Sequence, residues 1–481
     1  MNMQLNFFNI QKITSGEWIT SPRNLNKILV GGAFDSRNLG VAEIFFAWNG
    51  EKSDGHQYLS QLKGSNIKLI IAEKMVDPVE GIAILKVQNS LEALQKIAHE
   101  LSLHFKGKII SITGSCGKTT VKTWLNHILK SKFNILTNIG SFNNHIGCPI
   151  TILNMTPQHD LMVLEMGTSG LGELKVLSQI APADITVLLN VGHAHLGKFG
   201  CLEKTYQAKF EIFSSQRKNA ISIVPAFDPK VVQQFKDRSV VYFGKDAPIF
   251  NWKKETIDVL ELKQKLCLGS PKEKKIVEVN QLGEYVGDLL SAIMAIISHL
   301  QINIDDVLNA IETLPQEKGR MRISKGYNEV TVVDDSYNAN PESVLNMLKM
   351  ISILPGTKHI GVIGNLAEMD KELKNSANVI VDHLPENLTH LFLGGETGDI
   401  LKSLIENSHS TVKVFKIESF DQVFSTLKSL SDPQTVIGVK GSRTSHMERY
   451  VYALNGENIL CHLNQCSLLK MCKTCEKISM L

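Results

Sequence analysis

The chain has 481 residues, 43% hydrophobic and 21% charged, with 51 basic against 48 acidic side chains and a net charge of +3. That length exceeds one ordinary hydrophobic core, so several domains are expected. The near balance of charge excludes the lopsided basicity of nucleic-acid and membrane-surface binders, and the longest apolar stretches, such as Leu289–Ile297, fall far short of the roughly 18 residues of a membrane span.

The segment Met1–Phe8 lacks a basic region followed by an apolar run, so a cytoplasmic protein is expected. Four scattered cysteines (Cys116, Cys148, Cys201, Cys267) would stay reduced there. Residues 1–105 carry short apolar runs at Lys27–Val30, Glu43–Trp48, Ile67–Ala72 and Gly81–Val87, then a helical pattern over Ser90–Phe105. They predict a small N-terminal α/β domain.

Residues 106–318 open with the apolar run Lys108–Ile112, a buried strand, then a glycine-rich turn and a helix over Lys118–Lys130. Further strands are expected at Leu161–Glu165, Ile185–Asn190 and Ala220–Val224, and a helix at Leu289–Leu300. Alternation of strands and helices points to a parallel sheet with crossover helices. Residues 319–455 predict a second doubly wound unit, with strands Val330–Asp334, His359–Ile363, His390–Gly394, Val412–Ile417 and Thr435–Val439, and helices Pro341–Ile353, Phe420–Leu430 and Ser445–Leu454. Residues 456–481 form a tail with Cys461, Cys466, Cys472 and Cys475. Beside His462 these could hold zinc, but their spacing fits no common finger, and the tail reads as non-essential.

The firmest chemical signal is Thr113-Gly-Ser-Cys-Gly-Lys-Thr-Thr120, between a strand and a helix. Its glycines let the backbone approach a polyphosphate, and the amides at the helix start bind its charge. Lys118 can reach the terminal phosphates, and the Thr119 hydroxyl suits Mg²⁺. Glu165 closes a strand, where a carboxylate can hold Mg²⁺. His193 and His195 follow a strand at the same sheet edge, where surface histidines are common. Lys209 lies on an amphipathic pattern and reads as a solvated lysine. In Asp334-Asp-Ser-Tyr-Asn-Ala-Asn-Pro341 a strand ends in two aspartates and Pro341 opens a helix. A cap needs one such polar residue, and the surplus suits a ligand cleft.

Taken together, these residues resemble the Mur ligase family, in its D-alanyl-D-alanine-adding branch, from about residue 30 to 455. Further motifs carry the likeness: Gly140-Ser-Phe-Asn-Asn-His-Ile-Gly147, Asn190-Val-Gly-His-Ala-His195, Phe34-Asp-Ser-Arg-Asn-Leu39, Asn49–His56, and Val439–Arg443 with Met447–Arg449. The resemblance implies three domains: a small N-terminal α/β domain that binds a UDP-sugar, a central P-loop ATPase-like parallel sheet, and a C-terminal Rossmann-like sheet. It implies ATP and Mg²⁺ as cofactors and a monomer that joins UDP-N-acetylmuramoyl-tripeptide to D-Ala-D-Ala through an acyl phosphate. Thr113, Gly114, Ser115, Cys116, Gly117, Lys118, Thr119 and Thr120 would then hold the nucleotide, with Arg320, Asp335, Tyr337 and Asn340. Thr119, Glu165, His195 and Lys209, the last as a carbamate, would serve the metals. Asn143 and Asn144 would line the acyl site, and Asp35, Ser36 and Arg37 would face the UDP-sugar. The stretch Gly283-Glu-Tyr-Val-Gly-Asp-Leu289 departs from the family's Gly-x-His-Asn-x-x-Asn. Ser141, Asn365 and Asn49 are single departures. An amide ligase of another pathway and a nucleotide-binding scaffold without catalysis are the alternatives.

Overall fold

The structure, a computed structural model, describes residues 4–50, 53–140, 142–192, 199–366, 373–408, 411–459, 461, 472 and 475. His193, His195, Ser141, His462 and Cys466 lie outside the described residues.

The first sheet runs in the order Glu17–Thr20, Ala83–Lys86, Leu69–Ala72, Ile44–Ala47, Gly32–Ala33. All its neighbours are parallel except the first pair. The run Lys27–Val30 does not enter the sheet: Ile28 makes only an isolated bridge to Asn6. Lys27, Ile28 and Val30 are exposed and only Leu29 is buried, so no continuous face holds the run in the sheet. The helix Ser90–His104 starts on an Asn89 cap. Its buried stripe, Leu94, Ile97, Ala98 and Leu101, joins a core that continues into Ile109, Ile152, Met162 and Leu177 of the next region.

The central sheet has the order Val241–Phe243, Gln216–Pro225, Ala183–Leu188, Lys108–Thr113, Leu161–Glu165, Ile135–Thr137, parallel throughout. Lys108–Thr113 is buried at every residue after the first, as expected of a parallel strand covered by helices on both faces. The chain leaves it toward Ile135–Thr137 on one side and later returns to Ala183–Leu188 on the other. The carboxyl end of Lys108–Thr113 is therefore a topological switch point, where a crevice opens.

A three-stranded antiparallel sheet, Trp252–Asp258, Lys263–Gly269 and Lys274–Val279, was not foreseen from the sequence. It packs on the helix Glu284–His299, which begins five residues before the expected Leu289. A Cβ on Gly287 would lie 2.2 Å from Trp252 Cδ2, and the Trp252 indole N–H donates to Asp288 Oδ1 at 2.6 Å. Gly287 and Asp288 of the divergent stretch Gly283–Leu289 thus serve this packing.

The last sheet has the order Arg322–Lys325, Thr331–Asp335, Thr435–Lys440, Lys358–Ile363, His390–Leu393, Lys413–Lys416. Only its first pair is antiparallel. Pro341–Ile353 follows the expected bounds because Pro341 and an Asn340–Ser343 capping box set its start. The closing helix is shorter than expected, Glu448–Leu454, because His446 adopts left-handed backbone angles ahead of it. Among the described residues no helix is long and apolar enough to cross a membrane.

Candidate functional site

The carboxyl ends of the central and last sheets face one cavity of about 680 Å³. Its wall brings together Ser115–Thr120, Asn143, Asn144, Glu165, Arg320, Asp335, Tyr337 and Asn340, which come from widely separated parts of the chain.

The phosphate loop leaves the strand Lys108–Thr113 and enters the helix Lys118–Leu129 through Gly117, whose φ of 82° favours glycine. Asn190, at the end of the neighbouring strand, clamps the turn: the Cys116 N–H donates to its Oδ1 at 2.9 Å and its Nδ2 donates to the Cys116 carbonyl at 3.2 Å. The Gly192 N–H donates to Ser115 Oγ at 2.9 Å. The loop is therefore held in shape by side chains, with the helix amides directed at its mouth. Lys118 Nζ donates to the Gly114 carbonyl at 2.6 Å. Burial pushes its amine below the ordinary lysine value, partly opposed by the Glu165 charge.

Glu165 is 2% exposed and receives a 2.7 Å hydrogen bond from Asn143 Nδ2. Burial alone would raise its carboxyl, but the charges of Lys118 and Lys122, with bonds from Asn143 and Thr119, outweigh burial and hold it below the usual range. Lys122 Nζ stands 3.4 Å from Oε2 while donating to the carbonyls of Asn138 and Gly140 at 3.0 and 2.8 Å. Glu165 Oε2 has no hydrogen-bond partner among the described residues. A buried carboxylate oxygen at the cavity that accepts no hydrogen bond from them, with the Lys122 charge near it, suits a cation.

The solvated reading of Lys209 is overturned. In the helix Leu202–Phe210 it is 1% exposed. Its buried residues are Thr205, Tyr206, Ala208 and Lys209, and Tyr206 belongs to an apolar cluster that Phe210 packs against. At 3.6 residues per turn these four share one face, so Lys209 lies on the covered side of its helix. Burial drives the Lys209 amine well below the ordinary value, and the charge of Lys118 lowers it further.

From the last sheet, Asp335 and Lys440 are register partners and form a buried ion pair. Burial raises the Asp335 carboxyl, against the pull of Lys440 and Arg320. Asp334 is instead structural: it accepts from the Gly319 N–H at 2.8 Å and the Ser336 hydroxyl at 2.6 Å. The Arg320 guanidinium lies 4.3 Å over the Tyr337 ring and donates to Thr119 Oγ1 at 3.0 Å, tying the two sheets together. Asn340 caps its helix through the Ser343 N–H at 2.9 Å, and its Nδ2 reaches Cys116 Sγ at 3.2 Å. Asn144 accepts from the N–H groups of Ile146 and Gly147 at 3.1 and 2.8 Å.

Asp35, Ser36 and Arg37 are not on this wall. Arg37 grips Asp35 through two bonds of 2.8 and 2.7 Å, which lowers the Asp35 carboxyl, and Ser36 Oγ donates to Gln61 at 3.1 Å. Sequence reasoning gave no role to Lys122, Asn190 or Glu317, whose carboxylate meets Thr123 and Arg320. Asn190 and Lys440 lay in motifs already singled out, Asn190-Val-Gly-His-Ala-His195 and Val439–Arg443.

Residues 112–297 match the Mur ligase middle domain, and residues 319–443 match the Mur ligase, glutamate ligase domain. The UDP-N-acetylmuramoyl-tripeptide–D-alanyl-D-alanine ligase of Bacillus subtilis is 24% identical over 450 residues, covering 92% of this chain and 96% of its own. Its counterpart in Buchnera aphidicola of Acyrthosiphon pisum is 28% identical over 470 residues, covering 95% and 99%. MurF from Acinetobacter baumannii superposes with a TM-score of 0.83 at 26% identity, over 94% of this chain and 99% of that one. MurF ligase from Thermotoga maritima, solved in complex with ADP, gives 0.79 at 26% identity, over 89% and 98%. The matches run through the phosphate loop, the cavity and the last sheet alike, and the chain belongs to the Mur ligase family, with its three-domain α/β architecture.

Proposed function

We propose that this chain is an ATP-dependent, ADP-forming ligase that adds D-Ala-D-Ala to UDP-N-acetylmuramoyl-tripeptide in peptidoglycan precursor synthesis, as a cytoplasmic monomer. The observation that carries the reading is one cavity in which a clamped phosphate loop meets buried Glu165 and the Asp335–Lys440 pair, in a chain matching such ligases over nearly their whole length. Residues 1–105 are assigned to the UDP-sugar, 106–318 to ATP and 319–455 to closing the site, with Asp35, Ser36 and Arg37 facing the UDP-sugar.

The substrate carboxylate attacks the γ-phosphorus of ATP; a C–O–P bond forms, the bond to the β-phosphate oxygen breaks, and ADP leaves. The incoming amine attacks the acyl carbon, phosphate departs with the C–O bond, and the amine loses a proton. Lys118 and the loop amides take up charge on the transferring phosphoryl group. Arg320, stacked on Tyr337, holds the nucleotide between two sheets, so both must approach for turnover. Thr119, Glu165 and a modified Lys209 would hold Mg²⁺, together with His195, and Glu165 Oε2, which accepts no hydrogen bond among the described residues, fits that group. Bound there, the metal neutralises phosphate oxygens. Burial lowers the Lys209 amine and so favours the neutral form that adds CO2: an N–C bond forms, a proton leaves, and the carbamate supplies the anionic oxygens an ammonium lacks.

The direct test incubates the purified chain with Mg-ATP, the UDP-linked tripeptide and D-Ala-D-Ala, and measures phosphate and the pentapeptide product together. Stoichiometric release of both is expected. ATP binding without product would overturn this pairing of substrates; phosphate release with another amine would point to a ligase of a different pathway, and none with any pair to a scaffold. Arg320→Ala should raise KM for ATP about 10–100-fold, the cost of one charge-assisted hydrogen bond and its stacking, with a smaller change in kcat. An unchanged KM would remove Arg320 from the nucleotide.

A further inference from the structure

We propose that His446, Glu448 and Cys472 form a zinc site that pins the C-terminal tail to the last domain. The three ligand atoms lie within 4.8 Å of one another, and the residues are 2%, 4% and 7% exposed. His446 Nδ1 stands 3.3 Å from Cys472 Sγ and 3.4 Å from Glu448 Oε1. For zinc–nitrogen, zinc–oxygen and zinc–sulfur bonds of about 2.0–2.3 Å in a tetrahedron, the ligand–ligand edges come to about 3.3–3.6 Å. The two spacings made by His446 Nδ1 therefore already match edges of a zinc shell, and the third ligand pair lies within 4.8 Å.

Two further observations point to an ion. Glu448 Oε2 is buried without a hydrogen-bond partner among the described residues. The single His446 Nδ1 is approached by both a thiol and a carboxylate, and one imidazole proton cannot serve both. A cation between them satisfies the three at once. The backbone is arranged for this as well. His446 is held at φ 49° and ψ 43°, in the left-handed region that costs a non-glycine residue, and this places it before the helix that carries Glu448. The Cys472 N–H donates to Glu448 Oε1 at 3.3 Å, and the Cys475 N–H closes a turn on the Cys472 carbonyl at 3.0 Å. Arg449 Nη1 donates to the carbonyl of buried Cys461 at 3.3 Å, so the tail is also gripped at its start.

Cysteine spacing within the tail could not show this, because two of the three ligands precede it. The site also borders the cavity: Arg443 lines the cavity wall and stands 3.6 Å from Glu448 Oε1. A metal here would hold the segment Lys440–Glu448 in place whichever substrates the cavity takes.

The test uses the full chain, stripped with chelator and reloaded with Zn²⁺ alone or Co²⁺ alone. About one zinc per chain should survive gel filtration and raise the melting temperature. The cobalt-loaded chain should show thiolate-to-metal charge-transfer absorption that is lost in Cys472→Ser and kept in Cys201→Ser, whose thiol is exposed elsewhere. A folded wild-type chain that retains no metal, or a cobalt spectrum without the thiolate band, would overturn the proposal even if the variants fold poorly. So would an unchanged band in Cys472→Ser.

Discussion

Lys118→Ala is expected to lower turnover by about 10³-fold or more while leaving the melting temperature close to that of the parent chain. The loss is large because Lys118 is a cation of the loop itself, placed at the first residue of its helix, where phosphoryl charge is taken up. The fold should tolerate the change for two reasons. Burial already penalises the Lys118 charge, and alanine is the best helix former at an element end where no intrahelical partner is lost. Phosphate release and thermal unfolding measured on the same preparation decide the matter. Activity within about tenfold of the parent would take Lys118 out of the phosphoryl-transfer step.

Lys209→Met should do two opposite things: abolish turnover and stabilise the chain. The native amine has a pKa well below the ordinary 10.5, so over the interval between the two values the unfolded chain binds a proton that the native chain does not. Stability therefore falls as pH drops from about 10.5 toward the native value, and levels off below it. Methionine fills a similar volume without a desolvated amine, and a gain of about 1–3 kcal/mol near neutral pH is expected, shrinking as pH approaches 10. Unfolding must be followed in CO2-free buffer, since a carbamate would replace the amine. A destabilised Met variant would mean that the Lys209 ammonium is paired and charged. Retained turnover would remove Lys209 from the metal site.

The sequence alone determined a good deal. Local signals with a physical cause at one place in the chain were legible: the phosphate loop between its strand and helix, the Asn340–Pro341 helix start, and strands such as Leu161–Glu165 that are apolar up to their last residue because both faces are covered. Tertiary structure decided what depends on partners distant in sequence. The antiparallel sheet Trp252–Val279 escaped notice because charged residues fill much of it, and its inner face is defined only by the helix Glu284–His299. Whether Lys209 met water was set by which face of its helix the rest of the chain covers. Asp334 and Asp335, adjacent and chemically identical, were separated into a turn support and a cavity carboxylate because successive residues of a strand face opposite sides. The tail cysteines read as dispensable until folding set Cys472 beside His446 and Glu448, since a ligand cluster is a property of distances and not of spacing along the chain.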